Sequence, residues 1–201
     1  MNINQVISPL ESYNVESTIC NKVDGVEVPF LFKKEVISLP NSILIGRKVT
    51  YPIDKQGVSI EEGGNPPLNL LWQEYRKDGT RDWLIQNKDS MFIEGALGFY
   101  FDVNINDSGT FSYIVGSLMK QDIVVPKGLD YHEVPASEFV ICWYKYKEKV
   151  DDIWSVAHST VEEYMKEIGY IGNGGSSELY PFDDVDDGHS ILGYLIAGKE
   201  G

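Results

Sequence analysis

The sequence predicts an α+β fold made of two β-α-β-β units related by pseudo-two-fold symmetry, with an antiparallel sheet packed with two helices around a central cleft. Residues 37–45 and 132–140 are versions of one another, and each places a Pro-x-Ser turn before an apolar, β-prone run. An amphipathic helical pattern and two strand-like segments follow each copy. Two such units must bury their faces on each other, and the crevice between two halves commonly holds a small-molecule site.

The first unit is predicted to span about residues 33–120. In order, its elements are a strand over residues 36–51 broken near Pro40, a helix that starts at Pro66 or Pro67 and ends at Gly79, and a hairpin of residues 91–103 and 110–118. Residues 57–67 are rich in glycine and proline, which indicates a loop. The 1–32 segment is interpreted as an N-terminal extension that supplies either an edge strand or a loosely held arm.

The second unit is predicted to span about residues 125–201, so that 33–201 form one domain. A strand-like run covers 129–146, and residues 177–182 and 191–197 form two further strands across the acidic turn 183–188. Between them lies the strongest helical pattern of the chain, which Asp151 or Asp152 caps and Gly169 ends. Its apolar residues at helical spacing are Ile153, Val156, Ala157, Val161, Tyr164, Met165 and Ile168.

Charge and composition exclude several classes of function. The 201 residues carry a formal net charge of −14, which repels nucleic acid and anionic membrane surfaces. No segment approaches the ~18 consecutive apolar residues of a membrane span, and the first residues do not form a secretory signal. With only two cysteines there is no disulfide framework, so a cytoplasmic location is expected.

The sequence lacks the common signatures of metal and cofactor sites. His132, His158 and His189 have no metal-binding spacing, and residues 183–188 lack oxygen ligands where a calcium loop needs them. Gly172, Gly174 and Gly175 do not fit a phosphate loop and are interpreted as a connection. We therefore expect neither a metal nor a cofactor.

Aromatic residues are abundant instead: 12 Tyr, 8 Phe and 4 Trp. Many fall in the predicted strands and helices of both units: Trp72, Tyr75, Tyr100, Tyr113, Trp143, Tyr144, Tyr180 and Tyr194. Each taken alone is explained by core packing. As a set they favour a cavity that attracts planar or cationic ligands, because Tyr and Trp combine an apolar face with a polar edge.

Glu178 is the main candidate for a charged group in this cavity. It precedes Leu179 and Tyr180 in an otherwise apolar strand, and alternation places it on the same side as Tyr180. It is either an exposed glutamate of an edge strand or a carboxylate that balances a cationic ligand or acts as a general base. Glu138, in the second Pro-x-Ser segment, is a weaker candidate for the same role.

Four ordered segments carry a family resemblance: Gly-Phe-Tyr-Phe-Asp at 98–102, Phe-Ser-Tyr-Ile-Val-Gly at 111–116, Val-Pro-Lys-Gly-Leu at 125–129 and Val-Pro-Ala-Ser-Glu-Phe-Val at 134–140. Together they resemble the GyrI-like small-molecule-binding domain, which is also the effector-binding part of multidrug-sensing transcription activators and some AraC-type regulators. The resemblance implies a central aromatic pocket in which a glutamate, here Glu178, pairs with cationic planar compounds. Ser177 and Leu192-Gly193-Tyr194 depart from the residues common in that family.

Three functions follow from the resemblance. The first is a stand-alone domain that senses or sequesters a planar aromatic compound, with Trp72, Tyr100, Tyr113, Trp143 and Tyr180 as walls and Glu178 as the polar anchor. The second is a hydrolase of cyclopropane-bearing, DNA-alkylating compounds, in which Glu178 and tyrosine hydroxyls activate water. The third is a protein-interaction regulator, as the gyrase-inhibitor member of the family suggests.

Overall fold

A computed structural model of the chain describes residues 22–23, 26–27, 29–52, 68–104, 109–146, 153–182 and 190–201. Several predicted features lie outside these residues: most of the N-terminal extension, the whole loop at 57–67 with Pro66 and Pro67, the proposed caps Asp151 and Asp152, and the acidic turn at 183–188. None of the described helices is long and apolar enough to cross a membrane.

An α+β architecture is confirmed, with one large antiparallel sheet. Its eight strands are β3 (Phe30–Leu39), β4 (Ser42–Pro52), β5 (Ala96–Asn104), β6 (Thr110–Lys120), β7 (Asp130–Val134), β8 (Ser137–Tyr146), β9 (Tyr170–Tyr180) and β10 (Ser190–Glu200). They are ordered β3-β8-β10-β9-β5-β6-β4-β7. Two short strands, β1 (Lys22–Val23) and β2 (Val26–Glu27), pair separately from this sheet.

The described part of the chain contains three α-helices, one more than the sequence analysis predicted. They are α1 (Leu68–Lys77), α2 (Thr80–Gln86) and α3 (Ile153–Glu167). Gly79 separates α1 from α2 with a φ of 88°, a left-handed conformation that glycine adopts easily. A new helix then starts at Thr80, whose backbone N–H donates a hydrogen bond to the Asp78 carboxylate at 2.9 Å.

The sheet shows the duplication directly. Strands β4, β6 and β5 of the first unit are arranged like β8, β10 and β9 of the second, and β5 pairs with β9 at the centre. The first strand of each unit pairs with the other unit, since β3 pairs with β8 and β7 pairs with β4. The predicted break at Pro40 is therefore the point where the chain leaves one end of the sheet and enters the other.

The two Pro-x-Ser turns lie side by side. Leu39 pairs with Ser137, and Ser42 pairs with Val134. The side-chain oxygen of Asn41 accepts a hydrogen bond from the Ala136 backbone N–H at 2.8 Å. The repeated segments thus contact each other where the chain crosses between the units.

Buried side chains form three clusters. The inner cluster joins strands of both units and includes Leu44, Ile114 and Ile141. A second cluster packs α1 and α2 on the strands of the first unit, and a third packs α3 on the strands of the second. The two helix layers therefore lie on the sheet face opposite the inner cluster, one layer on each unit.

Two local differences from the prediction concern the second unit. The glycines at 172, 174 and 175, interpreted above as a connection, lie within β9, which begins at Tyr170. The pairing of β9 with β10 shifts register between Ile196 and Gly198, so the extra residues of β9 are accommodated as a bulge. Val156, predicted on the buried stripe of α3, is 47% exposed.

Candidate functional site

A cavity of about 470 Å³ lies where the two helix layers meet above the central strands β5 and β9. Residues from α1, α3 and three strands line it: Leu68, Trp72, Gln73, Arg76, Tyr100, Tyr146, Trp154, Glu178 and Tyr180. Its size suits a drug-sized molecule, and five of these side chains are Tyr or Trp. The cavity is therefore the candidate ligand site.

Strand geometry explains why Glu178 faces this cavity. Side chains alternate along β9, so Glu178 and Tyr180 point to the helix side while Leu179 enters the inner cluster. The register of the sheet places Gly98 of β5 directly opposite Glu178. The carboxylate therefore lies on the centre line of the sheet, between the two units.

Three aromatic donors surround the Glu178 carboxylate. Oε1 accepts a hydrogen bond from the Tyr113 hydroxyl at 2.5 Å. Oε2 accepts one from the Tyr180 hydroxyl at 2.7 Å and one from Trp154 Nε1 at 2.6 Å. Within the described residues, no lysine or arginine lies at ion-pair distance from Glu178, so its charge is stabilised by neutral donors alone.

Gly98 makes room for this network. An added Cβ at position 98 would overlap the Tyr113 hydroxyl and would lie 2.7 Å from Glu178 Oε1. No side chain larger than hydrogen fits there unless the bond between Tyr113 and Glu178 breaks. The first unit thus has glycine where the second has its carboxylate.

Trp72 forms one wall of the cavity and is held from two sides. Its Nε1 donates to the Tyr113 hydroxyl at 3.0 Å, and its ring meets the Tyr180 ring edge-on with centroids 5.2 Å apart. The Arg76 guanidinium lies 5.8 Å from the Trp72 ring centroid. Trp72 therefore connects the hydrogen bonds at Glu178 with the outer part of α1.

The tyrosines around Glu178 resist ionisation. Burial, reinforced by the nearby Glu178 charge, raises the pKa of Tyr100 to about 12. The same two causes raise the pKa values of Tyr113 and Tyr180 further above their ordinary value. These hydroxyls remain protonated and act as hydrogen-bond donors over the physiological pH range.

This arrangement predicts that the protein loses stability in alkali. The folded chain keeps protons on Tyr100, Tyr113 and Tyr180 that the unfolded chain releases near pH 10, so the free energy of unfolding falls as pH rises above about 10. A Glu178→Gln variant should lower these three pKa values, and its tyrosinate absorbance should rise at lower pH than in the wild type. Identical tyrosinate titrations for the two proteins would contradict this account.

A smaller chamber of about 120 Å³ continues the cavity beyond Tyr100, Trp154 and Glu178. Ser176, Ser177 and Tyr194 line its far side. The Tyr194 hydroxyl lies 3.2 Å from Nδ1 of His158, whose Nε2 lies 3.4 Å from Glu162. Polar side chains therefore lie next to the aromatic part of the site, on the side of α3.

The structure brings together most of the sequence-predicted site residues. Trp72, Tyr100, Glu178 and Tyr180 line the cavity, and Tyr113 lies fully buried beneath it in contact with Glu178.

Trp143 lies elsewhere. It is 1% exposed in the inner cluster, on the opposite face of the sheet, and its Nε1 donates to Glu35 at 2.6 Å. Glu138 is also remote from the cavity and accepts hydrogen bonds from Ser38 and Tyr170.

Sequence reasoning missed Trp154, Arg76 and Tyr146, which also line the cavity. Trp154 is 49% exposed and flanks the apolar stripe of α3, so periodicity alone gives no reason to select it. Arg76 follows Trp72 by four positions, and this spacing places both on one helix face. That spacing was the available signal.

A larger cavity of about 680 Å³ lies between β4 and α1. Its lining is mostly charged, and several of these groups already have partners. The Arg47 guanidinium pairs with Asp78 at 2.5 Å, and Asp130 accepts a hydrogen bond from the Lys48 backbone N–H. Among the described residues, no group of His, Cys, Asp or Glu is arranged to hold a metal ion.

Comparison with known proteins identifies the fold. No protein-family model matches the chain, and no curated protein does either. Solved structures do match. The structure of SAV2435 bound to tetraphenylphosphonium has a TM-score of 0.57 at 17% identity over 84% of this chain and 94% of that one.

Two further structures have the same architecture. A protein from Staphylococcus aureus MU50 assigned to bacterial transcription regulation has a TM-score of 0.56 at 17% identity over 84% of this chain and 99% of that one. An integron cassette protein from Vibrio cholerae has a TM-score of 0.56 at 12% identity over 86% of this chain and 100% of that one. The chain shares the fold of these structures, in agreement with the fold that the sequence resemblance implied.

Proposed function

We propose that this protein binds an aromatic cation in the cavity above β5 and β9, and so senses or sequesters it. The observation that carries the proposal is the Glu178 carboxylate, which lies in an aromatic cavity with three neutral donors and no cationic partner among the described residues. The carboxylate is partly buried, and removing a charge from water without a counter-charge has a cost. A bound cation would supply the counter-charge.

The walls of the cavity suit the same class of ligand. Trp72, Tyr100 and Tyr180 present aromatic faces and edges around the carboxylate. Such faces attract cations, with about 0.5–2 kcal/mol per favourable contact. One of the structures with this fold, SAV2435, is bound to tetraphenylphosphonium, which is an aromatic cation. This supports the proposal by analogy.

Hydrolysis would use the same cavity, but the geometry favours binding. A general base needs a carboxylate oxygen that can take a proton from water. Both oxygens of Glu178 already accept hydrogen bonds, one at Oε1 and two at Oε2. The neighbouring tyrosines are held protonated and so cannot substitute for the carboxylate as a base.

Calorimetric titration with tetraphenylphosphonium tests the proposal. We expect saturable binding of one equivalent to the wild type. Replacing Trp72 by leucine should weaken it about tenfold, because one aromatic wall contributes ~1–2 kcal/mol. Trp83→Leu is the matched control, since Trp83 packs in the same helix layer but does not line the cavity.

No saturable heat with the wild type would refute the proposal, as would equal losses in the two tryptophan variants. A second titration uses a cyclopropane-bearing alkylator, and chromatography of that mixture tests for hydrolysis. Ring-opened product in excess of one equivalent would mean that the protein is a hydrolase and not only a binding protein. Recovery of the intact compound would leave binding as the function.

A further inference from the structure

The cavity contains a positive charge as well as a negative one. Of the lining residues that the structure describes, Glu178 and Arg76 are charged. Glu178 lies on the sheet at the base of the cavity, and Arg76 is an exposed residue on α1 at its rim. The ring of Trp72 lies between them, because it contacts the guanidinium and also bonds to the Tyr113 hydroxyl that reaches Glu178.

No acidic side chain among the described residues pairs with the Arg76 guanidinium. Within the described part of the chain it forms no ion pair, whereas Arg47 pairs with Asp78 and Arg81 donates to the Phe182 carbonyl. The positions three and four residues before it on α1 are Gln73 and Trp72, neither of which is acidic, and α1 ends at Lys77, one residue after it. None of the described residues therefore occupies the donors that Arg76 would offer to a ligand.

A ligand that carries only a positive charge is not stabilised by Arg76 at the rim of the cavity. The guanidinium repels a positive ligand while Glu178 attracts it, and the two effects oppose each other across one cavity. A ligand with a second, negative group removes the conflict. A carboxylate or sulfonate suits the planar donor fork of arginine, which binds such groups in a bidentate manner.

We propose that Arg76 makes this site selective for zwitterionic aromatic compounds, in which a planar cation also carries a carboxylate or sulfonate. The proposal rests on the binding function given above and specifies its ligand class. The cationic ring system lies among Trp72, Tyr100 and Tyr180 near Glu178. The anionic substituent points out along α1 to Arg76, which is the residue that determines specificity.

Rhodamine 110 and rhodamine 123 form a matched pair of probes. They share the same planar cationic ring system, and they differ because rhodamine 110 carries a free carboxylate where rhodamine 123 carries its methyl ester. Fluorescence anisotropy should show that the wild type binds rhodamine 110 about fivefold more tightly, the effect of one partly exposed ion pair. The preference should shrink as salt is added.

Three variants separate the local contact from the general field of the protein. Arg76→Gln should bind the two dyes equally, and Arg76→Lys should keep part of the preference because it retains the charge but not the fork. Lys77→Gln removes the same charge one position away, outside this cavity, and should keep the full preference.

The outcomes are distinct. Equal or tighter binding of rhodamine 123 by the wild type would overturn the role of Arg76 and leave the binding function standing. Loss of the preference in Lys77→Gln as well as in Arg76→Gln would also overturn it, because the effect would then come from net charge. Binding of neither dye would overturn the proposed ligand class, and the titration with tetraphenylphosphonium would then decide whether the binding function stands.

Discussion

Replacing Glu178 by glutamine is expected to weaken the binding of tetraphenylphosphonium about thirtyfold to hundredfold. The variant keeps the size of the side chain but removes the negative charge in the cavity, and a close, partly desolvated pair of opposite charges contributes ~2–3 kcal/mol. Calorimetric titration measures the change.

Glu138→Gln is the matched control, because it removes the same negative charge from the same sheet at a position remote from the cavity. Its affinity for tetraphenylphosphonium should stay within about twofold of the wild type, since distant charges are screened. If the two glutamine variants lose affinity equally, the attraction comes from the overall negative charge of the protein. Glu178 is then not the anchor.

Replacing Gly98 by alanine is expected to lower the free energy of unfolding by about 1–3 kcal/mol and to weaken ligand binding together with it. The added Cβ overlaps the Tyr113 hydroxyl and lies 2.7 Å from Glu178 Oε1, so the two side chains must separate. Overpacking of this kind has that cost in buried sites. Denaturation in urea measures the stability, and titration of the folded variant measures the affinity.

Gly172→Ala provides the comparison in the same sheet. A Cβ at Gly172 meets Ile196 Cγ2 at 3.6 Å and Met165 Cε at 3.7 Å, which are ordinary contacts. Its stability should change by less than about 1 kcal/mol. Equal losses for the two alanine variants would mean that glycine content, and not the close approach at Gly98, sets the stability of the sheet.

The sequence allowed the architecture to be predicted because the chain repeats itself. The Pro-x-Ser turns, the helical stripe of α3 and the aromatic hairpins are local patterns, and local patterns are what a sequence displays directly. α2 escaped prediction because it has only seven residues and follows a glycine that ends α1. Helix propensity is a weak signal over so short a segment.

The site was predicted less completely, for a reason that Trp143 illustrates. Its aromatic character matched that of Trp72, yet β8 turns it to the inner face of the sheet while α1 turns Trp72 to the cavity. Which face a residue occupies depends on strand register and on which strands become neighbours. Glu178 was placed correctly on the side of Tyr180 because both lie on one strand.

The crossing of β3 and β7 has a consequence for how the molecule assembles. Each unit completes its half of the sheet with a strand that belongs to the other, so neither half is closed until residues about one hundred positions apart have met. Pairing over such separations makes folding slow and strongly cooperative. The same exchange between two separate copies of a single unit would be a strand-swapped dimer, and the duplicated chain is the covalent form of that assembly. The cavity above β5 and β9 corresponds to the interface of such a dimer, where Glu178 of one unit lies opposite Gly98 of the other.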